Sequence, residues 1–258
     1  MRSDKASAEE VLAFWNSRGG LGQWAGTRDV LAKQLEIEAI AGHVRDGLRI
    51  LELGCGNGIT AMELARRYKV EILGIDYAQE MITAAQGLMQ GQQFKGTVSF
   101  RTGDVRQMPE FQRGFDLIYT ERVFINLPDW NAQRAAIEDT TRMLAPGGAF
   151  VMLENSQDGL ERINELRARV GLPRIDAPWH NRYLRDDEVA TLAIPGVTLE
   201  RVQHYSSTYY FLSRVVNAAL AAQSGTEPDY DSPVNKLALS LPPMGEFGQG
   251  RIWLWRKK

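Results

Sequence analysis

The stretch Ile50-Leu51-Glu52-Leu53-Gly54-Cys55-Gly56-Asn57-Gly58 decides the fold. A hydrophobic strand ends in closely spaced glycines, and an amphipathic helix over residues 59–68 follows at once. A strand–turn–helix of this kind places a ligand directly on the backbone at the C-terminal edge of a parallel sheet. A Cβ at the glycine positions would push that ligand away and strain the turn.

Outward from this turn, strands and helices alternate. Strands are expected at 48–53, 70–75, 97–102, 115–120 and 148–154, with helices at 60–68, 79–89 and 130–144 between them. Near-continuous apolar strands alternating with helices predict an α/β fold, doubly wound around a mostly parallel sheet. Before the core, residues 8–16 read as a helix, a glycine-rich break covers 19–26, and Thr27 or Asp29 caps a second helix running to Val44. After it come a helix at 160–170, an irregular Pro/Arg/aromatic segment at 171–185, a short helix at 186–192 and a strand at 198–205. A helix at 209–222, a Pro/Gly-rich stretch and an antiparallel strand at 251–255, at or near the sheet edge, complete the chain. One domain is expected, with a helical lid over 1–46, a core over 47–155 and a cap over 156–258.

The 258 residues are 44% hydrophobic and 24% charged, with a net charge of -2. That balance argues against broad nucleic-acid binding, which needs a basic face. The single cysteine, Cys55, can form no intrachain disulfide, which fits a reducing compartment. In the glycine turn it reads as packing. No run approaches the ~20 apolar residues of a membrane span. Residues 1–5 are charged and lead into an amphipathic helix instead of an apolar signal core, so the cytoplasm is expected. No tight acidic pair or His-rich spacing suggests a metal, and none is expected.

A dinucleotide site wants G-x-G-x-x-G. Here the third glycine position holds Ile59. Asp76 ends the second strand, where a carboxylate can accept from both hydroxyls of a ribose or cap the next helix. Gly103-Asp104-Val105 follows the third strand, and its acid can accept from an adenine amino group or serve an ordinary turn. The fourth strand exits into the polar cluster Glu121-Arg122-Val123-Phe124-Ile125-Asn126.

Together these residues resemble the class I S-adenosylmethionine (SAM)-dependent methyltransferases over 48–154. The resemblance implies a seven-stranded sheet whose antiparallel member is 251–255, and SAM as cofactor. It places Gly54, Gly56 and Gly58, with Cys55 between them, under the methionine part. Glu52 would support the turn and the SAM amine, Asp76 the ribose, and Gly103, Asp104 and the Val105 amide the adenine. Tyr77 and Met81 would pack on the adenine ring, and Glu121 joins the cofactor set. NAD is the second ligand considered.

Methyl transfer needs a positioned acceptor, and a hydroxyl acceptor also needs a base. Among three histidines, His43 lies on the N-terminal side and His204 at a strand end. His180, flanked by Trp179, Asn181, Arg182 and Tyr183, is the favoured base, or else a structural hydrogen bond that holds the loop; Glu154 is the second candidate, or else it orients Arg122 or the loop. Arg122 could bind an anionic acceptor group or pair with Glu121. Trp24 is read either as a water-excluding lid or as simple packing. Residues 119–130 and 179–184 also resemble bacterial methyltransferases of polysaccharide or glycan synthesis. That implies O-methylation of a sugar-containing or other small polar acceptor. N- or C-methylation of a small metabolite, or SAM binding without catalysis, are the alternatives. The oligomeric state is left open, a homodimer included.

Overall fold

A computed structural model describes residues 7–108 and 110–258, apart from the side chains of 23 and 24. Seven strands form one sheet: β1 (Arg49–Leu53), β2 (Glu71–Asp76), β3 (Thr97–Thr102), β4 (Phe115–Glu121), β5 (Leu144–Asn155), β6 (Val197–Gln203) and β7 (Gly250–Lys257). Their order is β3-β2-β1-β4-β5-β7-β6. Strands β1 to β5 pair in parallel, and β7 runs antiparallel to both β5 and β6. The last strand therefore lies one position in from the edge, which β6 occupies.

Alternation along β1 feeds two cores. Ile50 packs with Ile40, Leu64 and Ala65 on one face, while Leu51 packs with Phe124, Ile137 and Val189 on the other. The helices up to this point are α1 (Ala8–Ser17), α2 (Val30–Ala41), α3 (Ile59–Arg67), α4 (Gln79–Met89), α5 (Trp130–Arg142), α6 (Gln157–Arg169) and α7 (Asp186–Ala190), of which α2, α3, α4, α5 and α7 feed these two cores. Asp29 caps α2 by accepting from the Ala32 amide at 3.0 Å, satisfying one of the free N–H groups of the first turn. The expected helix over 209–222 is observed as α8 (Ser207–Phe211) and α9 (Ala218–Gln223), joined by a π-helical stretch at Leu212–Asn217. Among the described residues, one α-helix was not expected. Within the Pro/Gly-rich stretch, α10 (Pro233–Leu239) begins at Ser232, whose hydroxyl accepts from the Asn235 amide, with proline at the first helical turn. That Ser-Pro start is a legible signal.

The glycine turn connects β1 to α3. Gly54, Gly56 and Gly58 all have positive φ, at 67°, 51° and 75°. Their reasons differ. A Cβ on Gly54 would meet Val123 Cγ2 at 2.4 Å, and one on Gly58 would meet the Phe100 ring at 2.3 Å. At Gly56 nothing lies within 4 Å. The sequence argument that a Cβ would displace a ligand thus fits Gly56, whereas Gly58 is fixed by packing against β3. Gly58→Ala is expected to cost about 2 kcal/mol or more, from left-handed strain plus overpacking. Gly56→Ala should cost about 1 kcal/mol, from strain alone. Urea denaturation of the two variants checks the difference.

Candidate active site

The C-terminal edge of the sheet opens into a cavity of about 600 Å³, within the ~300–1,000 Å³ of small-molecule sites. Its floor is built by strand ends. Glu52, Gly54, Cys55 and Gly56 line it from β1, Asp76 and Tyr77 from β2, and Gly103, Asp104 and Val105 from β3. Met81 joins them from α4, and Glu121 and Arg122 from the end of β4. Gly58, expected under the ligand, is not among the lining residues; it sits behind the turn, against Phe100.

Each floor carboxylate has its own environment. Asp76 Oδ2 accepts from the Gly56 amide at 2.8 Å and Oδ1 from the Ala78 amide at 2.9 Å. Burial raises its pKa, with those amides opposing. It therefore ties the glycine turn to β2 and to the residue that precedes α4. Asp104 is held by Arg106, with Nε to both of its oxygens at 3.0 Å. Glu52 is buried, and burial together with the negative charge of Glu121 pushes it up to about 8. Its Oε2 has no partner.

A second charged layer comes from α2, which the sequence reading treated as a structural helix. Lys33 Nζ pairs with Glu121 and donates to Thr60 Oγ1 at 2.8 Å, while Thr60 donates to Glu121 at 2.7 Å. Burial pushes Glu121 upward, but Lys33 and Arg122 outweigh it and leave the pKa below the usual range. Arg122 Nε lies 3.1 Å from Glu36 Oε1. Burial holds Glu36 well above the carboxylate range despite Arg122. Asp29, besides capping α2, accepts from Tyr209 and from Arg214, each at 2.6 Å. Arg214 sits in the π-helical stretch, its guanidinium 4.7 Å from the Tyr230 ring centroid. Lys33, Glu36 and Asp29 share a face through i, i+3 and i, i+4 spacing. In sequence such a set reads as a solvated helix face, so nothing local marked it.

Above the floor, α1 forms one wall. Leu12 and Trp15 pack with Tyr77 and Met81, and Trp15 Nε1 donates to Asn126 Oδ1 at 3.1 Å. His180 reaches the cavity beside this wall, its ring 4.4 Å from Phe14 and 5.8 Å from Trp15. Burial and the nearby Arg18 lower its pKa, and Nδ1 has no partner. The Trp24 side chain lies outside the described residues. His43 bonds Gln203 and His204 bonds Arg251, and neither lines the cavity.

Glu154 does not line the cavity either. It is fully buried, and its carboxylate accepts from the amides of Val123, Phe124 and Ile125 at 3.0–3.3 Å. Of the two roles read for Glu154, these bonds belong to the structural one: the group holds the turn after β4. Arg122, immediately before those amides, has φ 59°, an uncommon conformation for a residue with a side chain.

Residues 50–148 match the model of a methyltransferase domain family. That stretch is similar to methyltransferase domains, and the fold is the Rossmann-like one of the class I methyltransferases. Over 106 residues the chain is 31% identical to ajmaline N-methyltransferase of Rauvolfia serpentina, covering 41% of this chain and 35% of that one. Over 165 residues it is 28% identical to 27-O-demethylrifamycin SV methyltransferase of Amycolatopsis mediterranei, covering 61% and 57%. These alignments span about a third to just under three fifths of the relatives' lengths. In fold it is similar to magnesium protoporphyrin IX methyltransferase of Synechocystis, solved with S-adenosylhomocysteine (TM-score 0.59, 14% identity, 95% and 94% covered).

The cofactor of this domain family is SAM, and the residues of the methyltransferase floor fit it. Glu52 keeps a buried, unpartnered oxygen at the turn, suited to an amino group. Asp76 retains acceptor capacity beyond its two amide bonds, and Tyr77, Met81 and Val105 offer an apolar slot.

Two measurements test this account. Glu154→Ala strands three amides and should cost about 3 kcal/mol or more in urea unfolding. For Glu52, the folded pKa of about 8 exceeds the ordinary 4.5. Its stabilising contribution is complete below the ordinary value and is lost as pH rises through about 8. Ligand-free protein should thus lose stability over that window, and Glu52→Gln should flatten the loss.

Proposed function

We propose that this protein is a SAM-dependent methyltransferase that methylates an oxygen of a small polar acceptor, sugar-containing compounds included. The carrying observation is one cavity in which a SAM-type floor, from Glu52 to Val105, continues into a polar and aromatic chamber lined by Arg122, Asn155, Tyr183 and Tyr210. SAM supplies an activated methyl group. The chain's task is then to hold the acceptor beside it, exclude water and receive a proton.

Several residues suit those tasks. Asp76 would hold the ribose hydroxyls, Glu52 the amine, and the Gly56 position would leave room for the ligand's approach. Asp104 lies at the adenine end, its charge balanced by Arg106. The α1 wall would cover the cofactor through Trp15 against Tyr77 and Met81. Two groups would suit receiving a proton, His180 beside the α1 wall and Glu36 beside Arg122. Similarity extends to enzymes named for transfer to nitrogen as well as to oxygen, so N-methylation is the second reading.

Isothermal titration of SAM tests the cofactor assignment. Saturable binding is expected, and Asp76→Ala should weaken it roughly 10- to 100-fold, the cost of losing hydrogen bonds to a charged acceptor. Unchanged affinity in that variant, or binding of NADH in place of SAM, would overturn the assignment.

A further inference from the structure

Two donors that face the chamber lack an acceptor. The Arg122 side chain keeps 22% of its surface exposed and lines the cavity. Its Nη1 donates to the Gly26 carbonyl at 3.3 Å, but Nη2 makes no hydrogen bond and lies 3.6 Å from Glu121 Oε1. Tyr210 is only 5% exposed, yet its hydroxyl makes no hydrogen bond and is not sealed from the cavity that the residue lines. The two groups lie within electrostatic reach of each other. Arg122 is also held in place at a cost. Its φ of 59° is a strained backbone state, and such a state persists only where the surroundings over-determine it, as the turn bound to Glu154 does.

The charge around these donors is positive. Lys33, Arg122 and Arg214 stand against the carboxylates of Glu121 and Asp29. Glu36 adds little negative charge at neutral pH, because burial holds it well above the carboxylate range. Arg214 donates to Asp29 and Ser213 and stacks with Tyr210 and Tyr230, 5.2 and 4.7 Å from their ring centroids. It contributes a fixed charge beside Tyr210. Asp176, which also lines the cavity, is exposed, and water and salt screen its charge. A bound SAM would add a sulfonium, its ammonium and carboxylate cancelling. The ligand group that suits this place is therefore an acceptor of hydrogen bonds and negative. An ammonium has no lone pair to offer. A hydroxyl or an amide oxygen can accept but leaves the charge unbalanced. A carboxylate accepts from both donors and makes the stronger, charge-assisted bond to a guanidinium.

We propose that Arg122 and Tyr210 form the subsite that receives a carboxylate of the acceptor: Arg122 Nη2 and the Tyr210 hydroxyl donate to it, and Arg214 supplies further positive charge. This rests on the methyltransferase reading above and narrows its small polar acceptors to acidic ones. Tyr183 lies under the charge of both arginines and shares its hydroxyl with Asn155 and Gln249, so it bounds the subsite. The methionine carboxylate of SAM has the same chemistry, and the test separates the two sources.

Benzoate and its uncharged counterpart benzamide serve as probes, each titrated calorimetrically into protein saturated with S-adenosylhomocysteine. Benzoate should bind at least about 10-fold tighter than benzamide, the margin of one charge-assisted hydrogen bond. Arg122→Gln should remove that preference, and Arg122→Lys should recover part of it, because the charge returns without the planar fork. Tyr210→Phe should weaken benzoate by about 3- to 10-fold, the loss of one neutral donor. All three variants should keep the affinity for S-adenosylhomocysteine, and thermal unfolding checks that each folds. Equal affinity for benzoate and benzamide, or no binding of benzoate below roughly 10 mM, overturns the subsite. So does unchanged benzoate affinity in Arg122→Gln or in Tyr210→Phe. Weaker S-adenosylhomocysteine binding in Arg122→Gln, with unchanged binding of 5′-methylthioadenosine, which has no carboxylate, gives Arg122 to the cofactor and overturns the acceptor assignment. Wild-type protein that fails to bind S-adenosylhomocysteine removes the methyltransferase reading itself, and the acceptor assignment with it.

Discussion

One buried carboxylate organises the junction on which the site depends. Glu154, at the end of β5, accepts from three successive amides of the turn after β4. Burial alone would make a charge there costly, and the amide dipoles offset that cost. The turn it fixes has three consequences. Val123 is pressed into the space that a side chain on Gly54 would need. Arg122 is held in a left-handed conformation that aims it toward Glu36. The Phe124 carbonyl accepts from Gln133, which also reaches the Arg182 carbonyl of the cap loop. A single side chain thus couples the glycine turn, the charged layer and the loop that carries His180.

The charged layer shows why buried ionic groups can suit a site while being poor sources of stability. Lys33, Glu121, Arg122 and Glu36 lie together at the cavity edge, with Asp29 and Arg214 forming a second cluster nearby. Removed from water, each charge is affordable because its neighbours oppose it. Fixed polar groups in a low-dielectric cavity also need no reorganisation when charge develops, which is the usual source of electrostatic catalysis.

Much of the architecture was legible from local pattern. The helix at Gln79–Met89 and the strand at Thr97–Thr102 have the bounds that periodicity predicts. Asp29 was legible as a cap because a short acid before an apolar stripe has few other local uses. The π-helical stretch within the 207–223 segment was not, since its hydrogen-bond shift leaves the apolar spacing almost intact. Glu154 was legible only as one of two alternatives, base or loop holder, because an acid at a strand end looks the same whether it faces a cavity or three amides behind one.

The sequence by itself determined the alternation of strands and helices, the glycine turn and the spacing of Glu52, Asp76 and Asp104 at successive strand ends. Those follow from local sterics and from hydrophobic periods of two and 3.6 residues, which act over a few neighbours. Tertiary structure decided which polar residues meet. Glu36 is 86 positions from Arg122 in sequence, and Asp29 is 185 from Arg214. No local period encodes such pairings. They arise because α2 lies across the strand ends and the helical cap closes over it, so that charges which look solvated in sequence are buried against one another in the fold.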